Sequence, residues 1–151
     1  MYRIHVRDHF DAAHYLRGYQ GRCEALHGHR WEVVVALETA RLNEIDLGYD
    51  FTELKRVLEE QVLARLDHRC LNDVPPFDQI NASTENLARV IYGWLAEGLG
   101  AVLGPPRDAV PSRVQSEAAG PSKDEAPVRL AYVEVYESPD SWVRYTPGGE
   151  P

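Results

Sequence analysis

Apolar and polar positions alternate from the first residues of the chain. Tyr2, Ile4, Val6, Phe10, Ala12 and His14 share one parity, while Arg3, His5, Arg7, His9 and Asp11 share the other. Successive side chains of a strand point to opposite faces, so this spacing predicts a half-buried strand whose apolar column ends in His14. A polar loop at 17–22 interrupts the pattern. It then resumes with His27, His29, Trp31, Val33, Val35 and Leu37 on one face and Arg30, Glu32 and Glu38 on the other. Two antiparallel strands are the economical reading.

The period then changes. Asp50 is an N-cap with Glu53 three residues on, and Leu54, Val57, Leu58, Val62 and Leu66 recur at helical spacing. A second helix begins near Ser83-Thr84-Glu85-Asn86 and turns Leu87, Val90, Ile91, Trp94 and Leu95 inward. Residues 128–137 read as a strand with Ala131, Val133, Val135 and Glu137 on one parity, followed by a turn at 138–141 and a short strand at 142–145. The order ββααββ, with two helices on one face of an antiparallel sheet, is α+β. Between the second helix and the third strand, residues 104–127 are rich in Pro, Gly, Ser and charge, and read as a flexible surface insertion within a single domain spanning 1–151.

Composition narrows the function. A formal net charge of −8 argues against a nucleic-acid or anionic-membrane surface, but leaves room for an anionic small substrate met by a few local basic groups. No apolar run approaches the roughly 20 residues that span a bilayer, and the N-terminus lacks a signal-peptide core. Two cysteines, Cys23 and Cys70, are too few for a disulfide scaffold. The expected location is the reducing cytoplasm.

The chemistry concentrates in "CEALHGHRW". His27 and His29 stand two apart on a strand, so both imidazoles leave the same face, and His14 on the neighbouring strand can complete a set of three. Zn²⁺ favours imidazole nitrogen, and three protein ligands leave a fourth position open. Singly, each histidine reads as a hydrogen-bonded core residue; the aligned set points to a metal. His5 and His9 fall on the other face and read as solvated.

Cys23 has two readings: a fourth ligand closing a structural Cys-His₃ site, or a thiolate base beside the metal. Asp67-His68 reads either as an acid–base group tuned by its carboxylate or as a histidine favoured by a helix C-terminus. Glu137 continues an apolar parity, so its carboxylate either reaches solvent at the strand's end or binds something.

Taken in order, "FDAAH", "CEALHGH", "DFTELK", "LDHRCLND", "STENLA" and "VYESPDSW" resemble the 6-pyruvoyl-tetrahydropterin synthase / 6-carboxytetrahydropterin synthase family over about residues 4–145. The resemblance implies the tunnelling fold (T-fold), in which subunits join their sheets into a barrel, usually as homo-hexamers with pockets at subunit interfaces. It implies Zn²⁺ on His14, His27 and His29, Cys23 as proton acceptor, and His68 with Asp67 as proton relay. It implies that Glu137 anchors the pterin ring, with Thr84 and Glu85 lining its pocket. The implied substrate is 7,8-dihydroneopterin triphosphate.

Three residues separate Cys23 from the His-Gly-His, as in the branch that makes 6-carboxy-5,6,7,8-tetrahydropterin, acetaldehyde and triphosphate for queuosine and related deazapurines. Elimination of triphosphate alone would give the 6-pyruvoyl product. Glu24, directly after Cys23, resembles relatives that cleave the side chain to 6-hydroxymethyl-7,8-dihydropterin for folate synthesis. "EIDLGYDF" and "NASTEN" depart from the family pattern, which bears on substrate preference more than on metal binding. Outside the lyase class, the alternative is a non-catalytic zinc-stabilised module with Cys23 as fourth ligand.

Overall fold

The computed structural model describes residues 1–100 and 128–148; the expected insertion at 104–127 lies outside them. Strands β1 (Tyr2–His14) and β2 (His27–Thr39) pair antiparallel in unbroken register from Tyr2↔Thr39 to His14↔His27. Unbroken register keeps each parity on one face, so the two predicted apolar columns merge: Phe10 lies opposite Trp31, Ala12 opposite His29, and His14 opposite His27. The histidines therefore close one end of a core built from Val6, Phe10, Trp31, Val33, Val35 and Leu37.

Helix α1, residues 51–66, follows the predicted spacing with one irregularity. It opens as Phe51–Leu58, passes through a π turn at Glu59–Leu63 and closes with Ala64–Leu66. In the π turn Ala64 donates its N–H to the Glu59 carbonyl, five residues back. The wider turn lets Val62, Leu63 and Leu66 all stay buried behind Leu54, Val57 and Leu58. At its start Asp50 accepts the Thr52 N–H at 2.7 Å, whereas Glu53 pairs with Arg56 at 2.6 Å.

A two-residue strand, β3 (Arg69–Cys70), then runs parallel to Ala12–Ala13 of β1. The sheet is thus mixed, not purely antiparallel, and the element order is ββαβαββ. Two residues offer no alternation to read, which is why β3 escapes the sequence pattern.

Helix α2 (Thr84–Leu99) is capped by Ser83, which accepts the Asn86 N–H at 3.3 Å. Leu87, Ala88, Ile91, Leu95 and Leu99 are buried. Val90 and Trp94 pack against the core as expected but stay partly exposed, and Trp94 carries the Arg65 guanidinium 4.8 Å above its ring. Strands β4 (Arg129–Ser138) and β5 (Ser141–Tyr145) form a hairpin against β2, completing a five-stranded sheet in the order β3-β1-β2-β4-β5.

The β4 register slips twice. Ala36 pairs with Tyr132 and Leu37 with Leu130, which skips Ala131, so Leu130 and Val128 take the core positions expected of Ala131. Tyr136 pairs with Trp142 and Ser138 with Ser141, which leaves Glu137 as the extra residue of a bulge.

The face of the sheet turned away from the helices is polar. Arg144 pairs with Glu134 at 2.6 Å, Tyr136 stacks on Trp142, and His5 Nε2 lies 2.8 Å from the Tyr132 hydroxyl. His5 and His9 are both exposed, as expected of that face; His5 meets Tyr132 there and His9 lies beside Asp8. Among the described residues, no helix is long and apolar enough to cross a membrane.

Candidate active site

Four side chains converge where β1 ends, β2 begins and β4 bulges. The ligating atoms of His14, His27, His29 and Glu137 all lie within 4.8 Å of one another. His14 comes from the last residue of β1, His27 and His29 from alternate positions of β2, and Glu137 from the bulge, which turns its carboxylate toward them.

The hydrogen bonds fix what this group can accept. His14 Nδ1 lies 2.7 Å from the Ala82 carbonyl oxygen, and His27 Nδ1 lies 2.7 Å from that of Ala25. A carbonyl oxygen only accepts, so each Nδ1 carries the proton and each Nε2 presents a lone pair. Those two Nε2 atoms face one another at 3.1 Å. Two acceptors so close repel unless a proton or a cation stands with them.

His29 Nε2 is buried without a hydrogen-bond partner; Glu137 Oε1 sits 3.1 Å from it, close but not aligned as a bond. Burial pushes the His14 and His29 imidazoles below their ordinary range. Neighbouring His27 adds to the depression, while Glu137 opposes it at both rings. The neutral imidazole is the form that ligates. Three imidazoles, two of them oriented by backbone carbonyls, and one carboxylate make a donor set that fits a metal ion.

Glu137 is itself held. Its Oε2 accepts the Thr84 hydroxyl at 2.9 Å, from the first turn of α2. Glu85, the next residue, is exposed and outside the group.

A second group forms on the polar face, at the β3 edge. Asp67 Oδ1 accepts the Asp11 N–H at 2.9 Å, and Asp67 Oδ2 lies 2.9 Å from His68 Nδ1. The His68 N–H donates to the Asp11 carbonyl at 2.7 Å, which holds His68 at φ 55°, a left-handed conformation that side chains disfavour. Arg30, directly opposite Asp11 in the ladder, grips its carboxylate with Nε at 3.0 Å and Nη2 at 3.2 Å.

The Asp11 amide N–H, and after it His68, hold the Asp67 carboxyl below its usual range; Arg30 does the same for Asp11. With Nδ1 engaged by Asp67, Nε2 is the His68 nitrogen available for proton exchange. The His68 side chain is 79% exposed and lines an open cleft of about 550 Å³ together with Asp11, Gly28, His29 and Arg30.

Cys23 belongs to neither group. It is half-buried in a single helical turn, Arg22–Glu24, and its carbonyl accepts the Leu16 N–H at 2.8 Å. The donor that joins the three histidines is the Glu137 carboxylate, not the Cys23 thiol, so the closed Cys-His₃ arrangement does not form. Glu24 is exposed in the same turn.

Sequence reasoning missed the Ala25 and Ala82 carbonyls, which no side-chain pattern announces. It also missed Asp11 and Arg30 as partners of the Asp67-His68 corner. The His14–His27 pairing, counted back three rungs, places them opposite each other.

Fold and donor set together define a T-fold protein with a histidine-rich centre able to hold a metal ion. The 6-carboxy-5,6,7,8-tetrahydropterin synthase of Haemophilus influenzae is 24% identical over 153 residues, covering 96% of this chain and 99% of that protein. The enzyme of the same name from Synechocystis is 34% identical over 101 residues, covering 64% and 77%. The 6-pyruvoyl tetrahydrobiopterin synthase of Dictyostelium discoideum is 39% identical over 80 residues, covering 52% of this chain but only 59% of that protein. The solved 6-pyruvoyl tetrahydropterin synthase of Caenorhabditis elegans superposes with a TM-score of 0.71 at 23% identity, covering 96% of this chain and 94% of that one. The family model described as 6-pyruvoyl tetrahydropterin synthase matches residues 3–148, and the chain belongs to that family of pterin-processing enzymes.

Proposed function

We propose that the chain is a zinc-dependent 6-carboxy-5,6,7,8-tetrahydropterin synthase, which converts 7,8-dihydroneopterin triphosphate and water to 6-carboxytetrahydropterin, acetaldehyde and triphosphate. The observation that carries the reading is the pair of bare Nε2 atoms on His14 and His27, set beside the unpartnered Nε2 of His29. Similarity to the Haemophilus enzyme along nearly the full length of both chains supports the choice of product.

His14, His27 and His29 would hold Zn²⁺, which when bound supplies Lewis-acid polarisation of the substrate's side-chain oxygens. Glu137 accepts hydrogen bonds from the pterin's amino and ring N–H groups, and Thr84 fixes the carboxylate for that task. Glu85 lines the same pocket from the first turn of α2. Cys23 removes a proton from the substrate side chain. His68, oriented by Asp67, exchanges a proton through Nε2.

Cys23 and His68 stand off opposite edges of the β1 segment, Cys23 bonded to Leu16 and His68 to Asp11. A pocket that uses both is completed where a second copy meets the sheet, in a homo-hexameric barrel that pairs the outer edges of β3 and β5. The enzyme works in the cytoplasm without nucleic-acid or membrane partners.

Incubating zinc-loaded protein with 7,8-dihydroneopterin triphosphate and identifying products by mass spectrometry tests the reading. A 6-carboxy product is expected. A 6-pyruvoyl product would instead establish the sister activity, which the higher local identity to the Dictyostelium enzyme favours. A 6-hydroxymethyl product would transfer the assignment to side-chain cleavage involving Glu24, and a folded, zinc-loaded but inert protein would refute an enzymatic role.

A further inference from the structure

We infer that Asn72 and Asn81 are positioning residues for Cys23, acting through the backbone that continues β1 beyond His14. The inference rests on the reading of Cys23 as the base. Beyond His14 the chain no longer has a strand beside it, yet its backbone groups are still paired as though it had. The Asn72 side chain accepts the Tyr15 N–H at 2.9 Å and donates to the Tyr15 carbonyl at 2.9 Å. Two residues on, Asn81 accepts the Arg17 N–H at 2.8 Å and donates to the Arg17 carbonyl at 3.0 Å.

A side-chain amide offers one acceptor and one donor side by side, as a strand residue does. Backbone groups of residues 15 and 17 point to one edge of an extended segment and those of residue 16 to the other. The two asparagines therefore occupy one edge, and the Leu16 N–H is left to the opposite edge, where it meets the Cys23 carbonyl at 2.8 Å.

Cys23 otherwise sits in a short turn between an exposed loop and β2. Three further contacts tie the clamp to the site. Asn72 is buried and follows Asp67-His68 and β3 in the same run of chain. The Arg17 guanidinium donates to the carbonyls of Phe77 and Ile80 at 3.0 and 3.2 Å. Ala82, one residue past Asn81, is the carbonyl that orients His14. One stretch of chain, 67–82, thus sets the relay, the metal ligand and, through the amide clamp, the thiol.

The test uses Asn81, which is only partly buried, because replacing buried Asn72 risks losing the fold. In zinc-loaded full-length protein, the rate of Cys23 alkylation by iodoacetamide is followed by mass spectrometry of its peptide, so that Cys70 does not interfere. Asn81→Ala is expected to raise that rate by about fivefold as the thiol loses its fixed setting. It should lower kcat about tenfold while leaving KM within about twofold, the pattern of a misplaced group that does not bind substrate. Metal content should be unchanged.

Asn81→Asp, which keeps the acceptor for the Arg17 N–H and loses the donor, should fall between the two. Ile91→Val, a core truncation on α2, controls for general loosening and should leave alkylation at the wild-type rate. Wild-type alkylation in Asn81→Ala would overturn the inference and leave Asn81 a stabilising residue only. Faster alkylation with unchanged kcat would uphold the clamp and remove Cys23 from the chemistry.

Discussion

Two clusters of titratable side chains lie close along β1 yet are built on opposite plans. At the helix-facing end of the sheet, His14, His27, His29 and Glu137 crowd together, with the His14 and His27 Nε2 atoms facing one another and the buried His29 Nε2 unmatched. On the polar face, Asp11, Asp67, His68 and Arg30 form a group in which both carboxylates are already satisfied, by Arg30 and by backbone and imidazole nitrogen. The first group has the donors to hold a cation. The second is complete in itself and offers one exposed imidazole nitrogen. A group with unmatched acceptors binds; a saturated, solvent-facing group can pass protons without competing for the metal.

The contrast is sharpest under ligand removal. His27→Ala or His29→Ala should weaken zinc binding by more than the roughly 10–100-fold that loss of an outer-shell partner costs, and abolish turnover with it, as metal analysis and product assay would show. His68→Ala should reduce kcat by roughly 10²-fold or more at unchanged zinc content. Zinc lost from His68→Ala would mean that the groups are one site, not two.

Asp67→Asn should cost less, about tenfold in kcat, since it removes the partner that orients His68 and leaves the imidazole in place. A loss as large as that of His68→Ala would make Asp67 itself a proton carrier.

The smallest effect is on stability against pH, and it separates the groups by window. The His14 and His29 pKa values are lowered in the folded protein, so the unfolded chain binds more protons as pH falls below about 6.5. Melting of the metal-free protein should therefore fall progressively with acidification below that value. Asp67 is also lowered, but from an ordinary value of 3.8, so its stabilisation persists through this window and is lost only in stronger acid. A melting temperature flat from pH 7.5 to 5.5 would contradict the burial of the histidine group.

The histidine group was legible because it obeys the strand period: His14, His27 and His29 fall on the same parity as the core, and unbroken pairing keeps them there. Asp67-His68 was legible as a motif but not as geometry, because the left-handed turn at His68 depends on a bond to Asp11, distant in sequence. Glu137 stands out in the sequence as a carboxylate on an apolar parity. Its reach to His29 comes from a bulge that alternation cannot encode. The environment of Cys23 was least legible, since residues 17–25 have no period and the backbone leading into them is held at Tyr15 and Arg17 by asparagine amides from a separate segment. What repeats could be read; what depends on a single long-range bond could not.

The π turn at Glu59–Leu63 has an implication for how this chain tolerates insertions and deletions. It holds one residue more than an α-helical turn, and each residue of a helix advances the face by about 100°. The wide turn takes up that extra residue, so deleting one residue there would close a regular helix and leave Leu66 in the core and Asp67 and His68 beside Asp11. The α-helical run Phe51–Leu58 has no such slack, and a deletion in it would turn Leu66 and the acid–base corner by that angle. The π turn is thus where the helix can lose a residue and keep the corner in phase.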